Sequence, residues 1–392
     1  MSRYHSYLNT CVQILNLYKS EEPFASFLKS FFTKNKKHGS KDRKQISHLC
    51  YCYFRLGKAL RDIAMEERML VGLFLCSTGP NEILEKLRPG WNEKYDLSIQ
   101  EKLLIINYSL LINEVFPWKE ELSNEIDHKK FCESFFIQPD LFLRLRPGQE
   151  KEVRIKLEKA GINLKEINST CIALPNASKV EDILELNKEA VVQDLNSQRT
   201  AEFFKSAIQS LKSKITAWDC CAASGGKSIM LYDLDPKIEL IASDIRESII
   251  ANLKKRFQKA GIRKYESFVI DLTKDSTEHS ISNIQPSIII ADVPCSGSGT
   301  WGRTPEQLYY FDEKRIDQYA TLQKKIVSNV IPHLKQNGYL IYITCSVFRK
   351  ENEEVVNFIR EKFNLEIIRM ELLNGYDEKA DTMFAALLKR TL

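Results

Sequence analysis

No stretch of this 392-residue chain is long and apolar enough to span a bilayer. The run MLVGLFLC (Met69–Cys76) is far too short, and the opening residues are polar and charged where a secretory leader needs an apolar run. Cys-x-x-Cys pairs are also missing. The ten cysteines are scattered, which argues against a zinc site and against the disulfide framework of a small secreted domain. Neither sign of charge dominates: 57 Lys and Arg against 52 Asp and Glu leave a net charge of +5, a mild bias toward an anionic partner. The dinucleotide fingerprint G-x-G-x-x-G is absent as well. What these absences leave is a cytosolic globular protein with reduced thiols, no metal and no membrane contact. Two or three domains are expected from the length, and the chain is expected to be a monomer.

What is present divides into three parts. Residues 1–125 carry apolar side chains at helical spacing, as in HSYLNTCVQILNLY and EPFASFLKSFF, and predict an all-α domain with Pro23 near a helix start. Between two of those helices, TKNKKHGSKDRKQ gathers Lys34, Lys36, Lys37, Lys41, Arg43 and Lys44 around a Gly-Ser turn. That segment is either a solvated linker or a surface that meets phosphates. Residues 126–204 alternate between strand-like DLFLRLRPG, an amphipathic helix in EKEVRIKLEKAGI and extended STCIALPNA, predicting a small α/β module. From 205 to 392 the apolar runs KITAWDCC, IELIASD, YESFVID, SIIIAD and GYLIYITCS are separated by helical segments. Buried parallel strands joined by helices give this pattern, so a doubly wound α/β domain is expected. LEIIRM and TMFAALLK add two strands, with a turn expected at Asn374-Gly375.

In such a sheet, ligands bind beyond the carboxyl ends of the strands. Four runs end there in an acid: Asp219, Asp244, Asp271 and Asp292. Unpaired carboxylates near a core are costly, so four in succession mark a ligand edge. After the first comes DCCAASGGKS (Asp219–Ser228), whose small residues let backbone N–H groups approach a ligand at a helix start. Gly226-Lys227-Ser228 matches the end of a phosphate-binding loop, but Cys221 stands where its first glycine is required. A loop for S-adenosylmethionine needs only close backbone approach. Cys221, Ala222, Ala223, Ser224, Gly225, Gly226 and Lys227 would then line the cofactor, with Asp244 on the ribose hydroxyls, Asp271 toward the adenine and Asp292 at the same edge. Lys227 at a helix N-terminus opposes the macrodipole, which calls for an anionic partner such as the cofactor carboxylate. Two thiols compete as nucleophile, Cys295 in DVPCSGSGT and Cys345 in YITCSVF, and both follow strands whose ends should be neighbours. Arg303 in TWGRTPEQ either holds a phosphate or caps a loop. The stripe Lys254, Lys255, Arg256, Lys259, Arg263 and Lys264 is either RNA-facing or a solvated helix face.

CAASGGK, DVPCSGSGT and YITCSVFRKENEEVV resemble three signature motifs of the RNA (cytosine-5) methyltransferase family, closest to the bacterial Sun-like branch that methylates small-subunit ribosomal RNA. VVQDLNSQ (Val191–Gln198) resembles the family's entry into its catalytic domain, and the N-terminal helices with GSKDRKQISHLCYCYFR resemble its NusB-like RNA-binding domain. The resemblance implies S-adenosylmethionine as cofactor, RNA as partner and a terminal antiparallel hairpin on the sheet. It implies Cys345 as the nucleophile that adds to carbon 6 of cytosine, Cys295 as the residue that assists release, and Asp292 as the acid that holds the flipped base. RNA contacts are expected in the two N-terminal parts and at Lys41, Arg43, Arg199 and Arg303. Transfer RNA as substrate, or a ribosome-assembly factor without catalysis, are the alternatives. The chain departs from the family pattern at Ser224, where proline is usual, which bears on loop stiffness. It departs again at Asp381-Thr382-Met383-Phe384, in place of Asp-Gly-Phe-Phe, which bears on contact with RNA.

Overall fold

The apolar runs read as strands do pair into sheets. A computed structural model describes residues 3–107, 111–274 and 285–391. In it, β1 (Leu141–Leu145), β2 (Lys165–Asn168), β3 (Cys171–Leu174) and β4 (Ala190–Val192) form an antiparallel sheet in the order β2-β3-β1-β4. A second sheet holds β5 (Thr216–Asp219), β6 (Glu239–Asp244), β7 (Tyr265–Val269), β8 (Ile288–Asp292), β9 (Tyr339–Thr344), β10 (Leu365–Leu373) and β11 (Met383–Arg390), in the order β10-β11-β9-β8-β5-β6-β7. Strands β5 to β9 run parallel, and β11 and β10 close one edge antiparallel, as the resemblance implied.

Strand β8 shows why its sequence is an unbroken apolar run. Ile288 and Ile290 pack on one face with Phe203, Phe204, Leu253 and Phe257. Ile289 and Ala291 pack on the other with Val327, Val330, Val355 and Ile359. Side chains alternate between faces, and helices cover both, so no position is left for a polar residue until the strand ends at Asp292. Strand β5 has β6 on one side and β8 on the other. The order of the sheet reverses there, and a crevice for ligands opens beyond its carboxyl end.

The chain divides into two compact units, placed differently from the three expected parts. One unit comprises Met1–Glu120, Ile126–Gln138 and Thr300–Glu313; the other comprises Glu121–Glu125, Pro139–Gly299 and Lys314–Leu392. The first is helical, as expected for the N-terminal region. Its helices Ser40–Arg55 and Met65–Cys76 touch backbone to backbone, since a Cβ on Gly72 would come within 2.4 Å of the Cys52 carbonyl oxygen. It also takes in the helix Pro305–Tyr310, because Tyr309 and Tyr310 pack on Phe54, while Lys58 Nζ donates to the carbonyls of Tyr309 (2.9 Å) and Phe311 (2.7 Å). The small sheet joins the large one in the second unit. Arg144 and Arg146 reach across to the buried Asp233 carboxylate at 2.6 Å and 3.1 Å, a link that a boundary near residue 204 would cut.

The β10–β11 connection is longer than a turn at Asn374-Gly375 alone. It runs from 374 to 382 through a short turn of helix at Tyr376–Glu378. Gly375 lies so close to the Asp381 carbonyl that a Cβ would sit 2.0 Å from its oxygen, and Thr382 N–H donates to the Gly299 carbonyl at 2.9 Å. The extra length braces the Ser-Gly loop that follows Cys295. Among the described residues, no helix is long and apolar enough to cross a membrane.

Candidate active site

The crevice beyond β5 is built first by backbone. Asp219 is buried at the strand end and accepts the Ser228 hydroxyl at 2.6 Å, fixing the start of the helix Gly226–Leu234. Its other oxygen has no hydrogen-bond partner among the described residues, and burial pushes its pKa up to about 7. Between them, Ala222 N–H donates to the Ser243 carbonyl at 2.8 Å, and Ala223 N–H donates to Asp244 Oδ2 at 3.1 Å. Ala223 and Gly225 both take positive φ, 45° and 81°. Glycine is needed at 225 twice over, because a Cβ there would also lie 2.6 Å from the Phe257 ring. One residue on, a Cβ at Gly226 would meet nothing within 4 Å. The loop therefore turns sharply, is backed by apolar packing, and presents a helix start to open space.

Asp244 is buried at the end of β6. Burial works against its charge, but hydrogen bonds from the Arg246 side chain and from backbone N–H groups of Arg246 and Ala223 outweigh that and hold its pKa below the usual carboxylate value. Ile245, beside it, is 57% exposed and offers apolar surface at the same rim. Asp271 lies just past β7, where the Thr273 hydroxyl donates to it at 2.6 Å and lowers its pKa. An ionised acid next to exposed apolar surface, beside a helix start that admits close approach, fits S-adenosylmethionine. Arg256 holds this loop from behind. Its Nη1 donates to the carbonyl (2.9 Å) and hydroxyl of Ser224, and its Nε donates to Asn187 Oδ1 at 2.8 Å.

The second half of the crevice holds the two cysteines and the Lys227–Asp292 pair. Cys295 Sγ and Cys345 Sγ stand 3.3 Å apart, at the ends of β8 and β9, so the two competing thiols are in contact. Hydrogen bonding with Cys345 and burial push Cys295 well above the usual thiol pKa. Lys227 Nζ lies 2.6 Å from Asp292 Oδ2, so its anionic partner is an acid of this chain. Burial alone would lower the Lys227 pKa; the charge and hydrogen bond of Asp292, with Asp219 and Cys345 nearby, raise it instead.

Three of the basic residues singled out from the sequence as RNA contacts hold partners within the chain. Lys41 pairs with Glu82 at 2.9 Å, Arg43 Nε donates to the His38 carbonyl at 2.8 Å, and Arg199 clasps Glu378 at 2.6 Å and 2.9 Å. Arg303 sits in the Thr300–Glu313 segment of the helical unit. Among the described residues, no group of three or more His, Cys, Asp or Glu is placed to hold a metal. Ile245, Arg246 and Asn187 were not singled out from the sequence. An apolar residue straight after a strand-end acid could have pointed to Ile245, and Arg246 bonds Asp244 only two residues away, whereas Asn187 meets Arg256 across 69 residues.

Residues 206–388 match the family described as 16S rRNA methyltransferase RsmB/F. Ribosomal RNA small subunit methyltransferase B of Proteus mirabilis is 30% identical over 224 residues, which are 56% of this chain and 51% of that protein. The chain thus spans about half the length of the curated relatives it matches. In fold it is similar to the crystal structure of PH0851, with a TM-score of 0.72, 18% identity and full coverage of both chains. NSun6 from Pyrococcus horikoshii, solved with SFG, aligns with 70% of this chain and 97% of its own at a TM-score of 0.59 and 14% identity. With its crevice, its three motifs and this match, the part of the chain from residue 206 to residue 388 belongs to the RsmB/F methyltransferase family.

Proposed function

We propose that this protein methylates carbon 5 of a cytosine in RNA, with small-subunit ribosomal RNA as its substrate. One observation carries the reading: two thiols 3.3 Å apart at the carboxyl edge of the sheet, with the Lys227–Asp292 ion pair beside them. Carbon 5 of cytosine is a poor nucleophile, and a thiolate added to carbon 6 makes it a good one. S-adenosylmethionine supplies the activated methyl group when bound.

The environment of the thiols supports Cys345 as the attacking group. The contact with Cys345 and burial push the Cys295 pKa up, so in this reading Cys295 is the thiol of the pair that keeps its proton; either sulfur can donate across the 3.3 Å contact. Lys227 lies within electrostatic reach of Cys345. Asp292, held by Lys227, is the acid that meets the ring nitrogen and amine of a cytosine turned out of its stack. Release requires a base, water or a side chain, to take the carbon-5 proton; that electron pair re-forms the carbon-5–carbon-6 double bond as the bond from carbon 6 to Cys345 breaks and the sulfur leaves as thiolate. Cys295, whose sulfur touches Cys345, assists that step. Cys221 to Gly226, Asp244 and Asp271 form the cofactor side. The helical unit and the small sheet serve RNA binding, where Lys41, Arg43, Arg199 and Arg303 would exchange or share their present partners with phosphates.

The test is direct. Unmodified small-subunit ribosomal RNA is incubated with the protein and methyl-labelled S-adenosylmethionine, and the RNA is digested to nucleosides. The label is expected in 5-methylcytosine. Label in another nucleoside, or none in any RNA offered while the cofactor still binds, contradicts the reading.

A further inference from the structure

Glu351 has no role in the scheme above, yet it is wholly buried beneath the two thiols. Its Oε2 accepts the Ser296 backbone N–H at 2.8 Å and Gln323 Nε2 at 3.0 Å; its Oε1 accepts the Ser346 hydroxyl at 2.8 Å. Ser296 follows Cys295 in sequence, and Ser346 follows Cys345. One carboxylate therefore ties the neighbours of both sulfurs together. Gln323 extends the brace, since its Nε2 also donates to the carbonyl of Pro294, the residue before Cys295, at 3.0 Å. The Tyr342 hydroxyl secures Glu351 from below by donating to its backbone carbonyl at 2.6 Å. Around the carboxylate, the hydroxyls of Ser296, Ser298 and Ser346 lie 3.0 to 3.2 Å from one another, and Ser298 Oγ accepts the Val347 N–H at 2.9 Å.

A buried carboxylate is costly, and apolar packing can hold a loop at less expense. Its use here makes sense where position matters more than stability. Burial does push the Glu351 pKa up, and hydrogen bonds from Ser296, Ser346 and Gln323 oppose the shift. We propose that Glu351 is a positioning residue that clamps the Cys295 and Cys345 loops together and so sets the distance across which release is assisted. The proposal rests on the division of roles between Cys345 and Cys295 given above.

The experiment compares Glu351→Gln, of nearly the same volume, with wild type, Cys295→Ala and the double variant Cys295→Ala/Glu351→Gln. It measures three quantities: the dissociation constant for S-adenosylhomocysteine, the single-turnover methylation rate, and the lifetime of the covalent protein–RNA adduct. An amide at 351 must turn an NH2 toward a group that now donates, which loosens the clamp. Glu351→Gln is expected to bind the cofactor product like wild type, to methylate about tenfold more slowly or worse, and to lengthen the adduct lifetime. In the Cys295→Ala background the same change should add little to the adduct lifetime, because the contact it positions is already gone. Methylation rate and adduct lifetime within twofold of wild type overturn the proposal. So does a parallel loss of cofactor binding, which assigns Glu351 to general folding. Cys345→Ala serves as the separate control: an adduct that still forms there contradicts the choice of nucleophile, whatever Glu351 does.

Discussion

The two halves of the crevice are held by different means. The cofactor loop, Asp219 to Ser228, is shaped by backbone: two positive φ angles, a glycine against Phe257, and few side-chain anchors. The cysteine loops are cross-braced by buried side chains. Besides Glu351 and the serine hydroxyls, Thr344 Oγ1 donates to Asn352 Oδ1 at 2.5 Å, and Asn352 Nδ2 donates to the Ser346 carbonyl at 2.9 Å and to Ser123 Oγ at 3.1 Å. The difference follows from the tasks. A ligand that must come close to backbone needs small residues and open space, and side chains there would obstruct it. In the proposed reaction two sulfurs act in sequence on one base and need a fixed separation, which a network of satisfied polar groups supplies.

The largest expected effect comes from violating the rule of the first half. Gly225→Val forces a branched side chain into a positive φ and against Phe257 and Leu253. It should cost about 3–5 kcal/mol in urea unfolding and abolish cofactor binding. Near-normal stability would mean that the loop is not held by backbone geometry. Next comes Lys227→Met, which decides to which half this lysine belongs. Paired with Asp292, it should act on the chemistry: the single-turnover rate falls about 100-fold while cofactor affinity changes little. The opposite split, affinity lost and rate kept, would place Lys227 on the cofactor carboxylate instead. Asp244→Asn should behave in that opposite way, weakening cofactor binding about tenfold in a calorimeter and leaving the rate at saturation intact. Arg256→Met should cost about 1 kcal/mol of cofactor binding by freeing Ser224. The smallest change is Arg199→Ala. Its pair with Glu378 is 40% and 41% exposed, so stability should move by less than about 1 kcal/mol. A clear drop in RNA affinity with stability kept would then bear out its expected contact with RNA.

Much of this was readable before any fold was known, for reasons specific to certain segments. Strands such as Ile288–Asp292 are buried on both faces, so their sequences are unbroken apolar runs with an acid at the end. The cofactor loop was readable because small residues at a strand end have few other uses. What stayed hidden depends on distance in sequence. Arg256 sits in a row of lysines and reads as one more solvated cation, yet its guanidinium turns inward to Ser224 and Asn187. That contact also accounts for Ser224, since a hydroxyl held by arginine steadies the loop where the resembling family uses the stiffness of proline. Glu351 is one of three glutamates in ENEE, and nothing local distinguishes it from Glu353 or Glu354. Its partner Ser296 is 55 residues away. The exchange of segments between the two units was hidden for the same reason: Thr300–Glu313 follows the Cys295 loop in sequence but packs with the helices.

The central claim is that two thiols 3.3 Å apart divide one reaction between them. The most direct measurement is a denaturing gel of wild type, Cys345→Ala and Cys295→Ala after incubation with small-subunit ribosomal RNA and S-adenosylmethionine. A covalent protein–RNA band that accumulates with Cys295→Ala and is absent with Cys345→Ala is the predicted result. A band that persists in Cys345→Ala and vanishes in Cys295→Ala would contradict it and make Cys295 the attacking group.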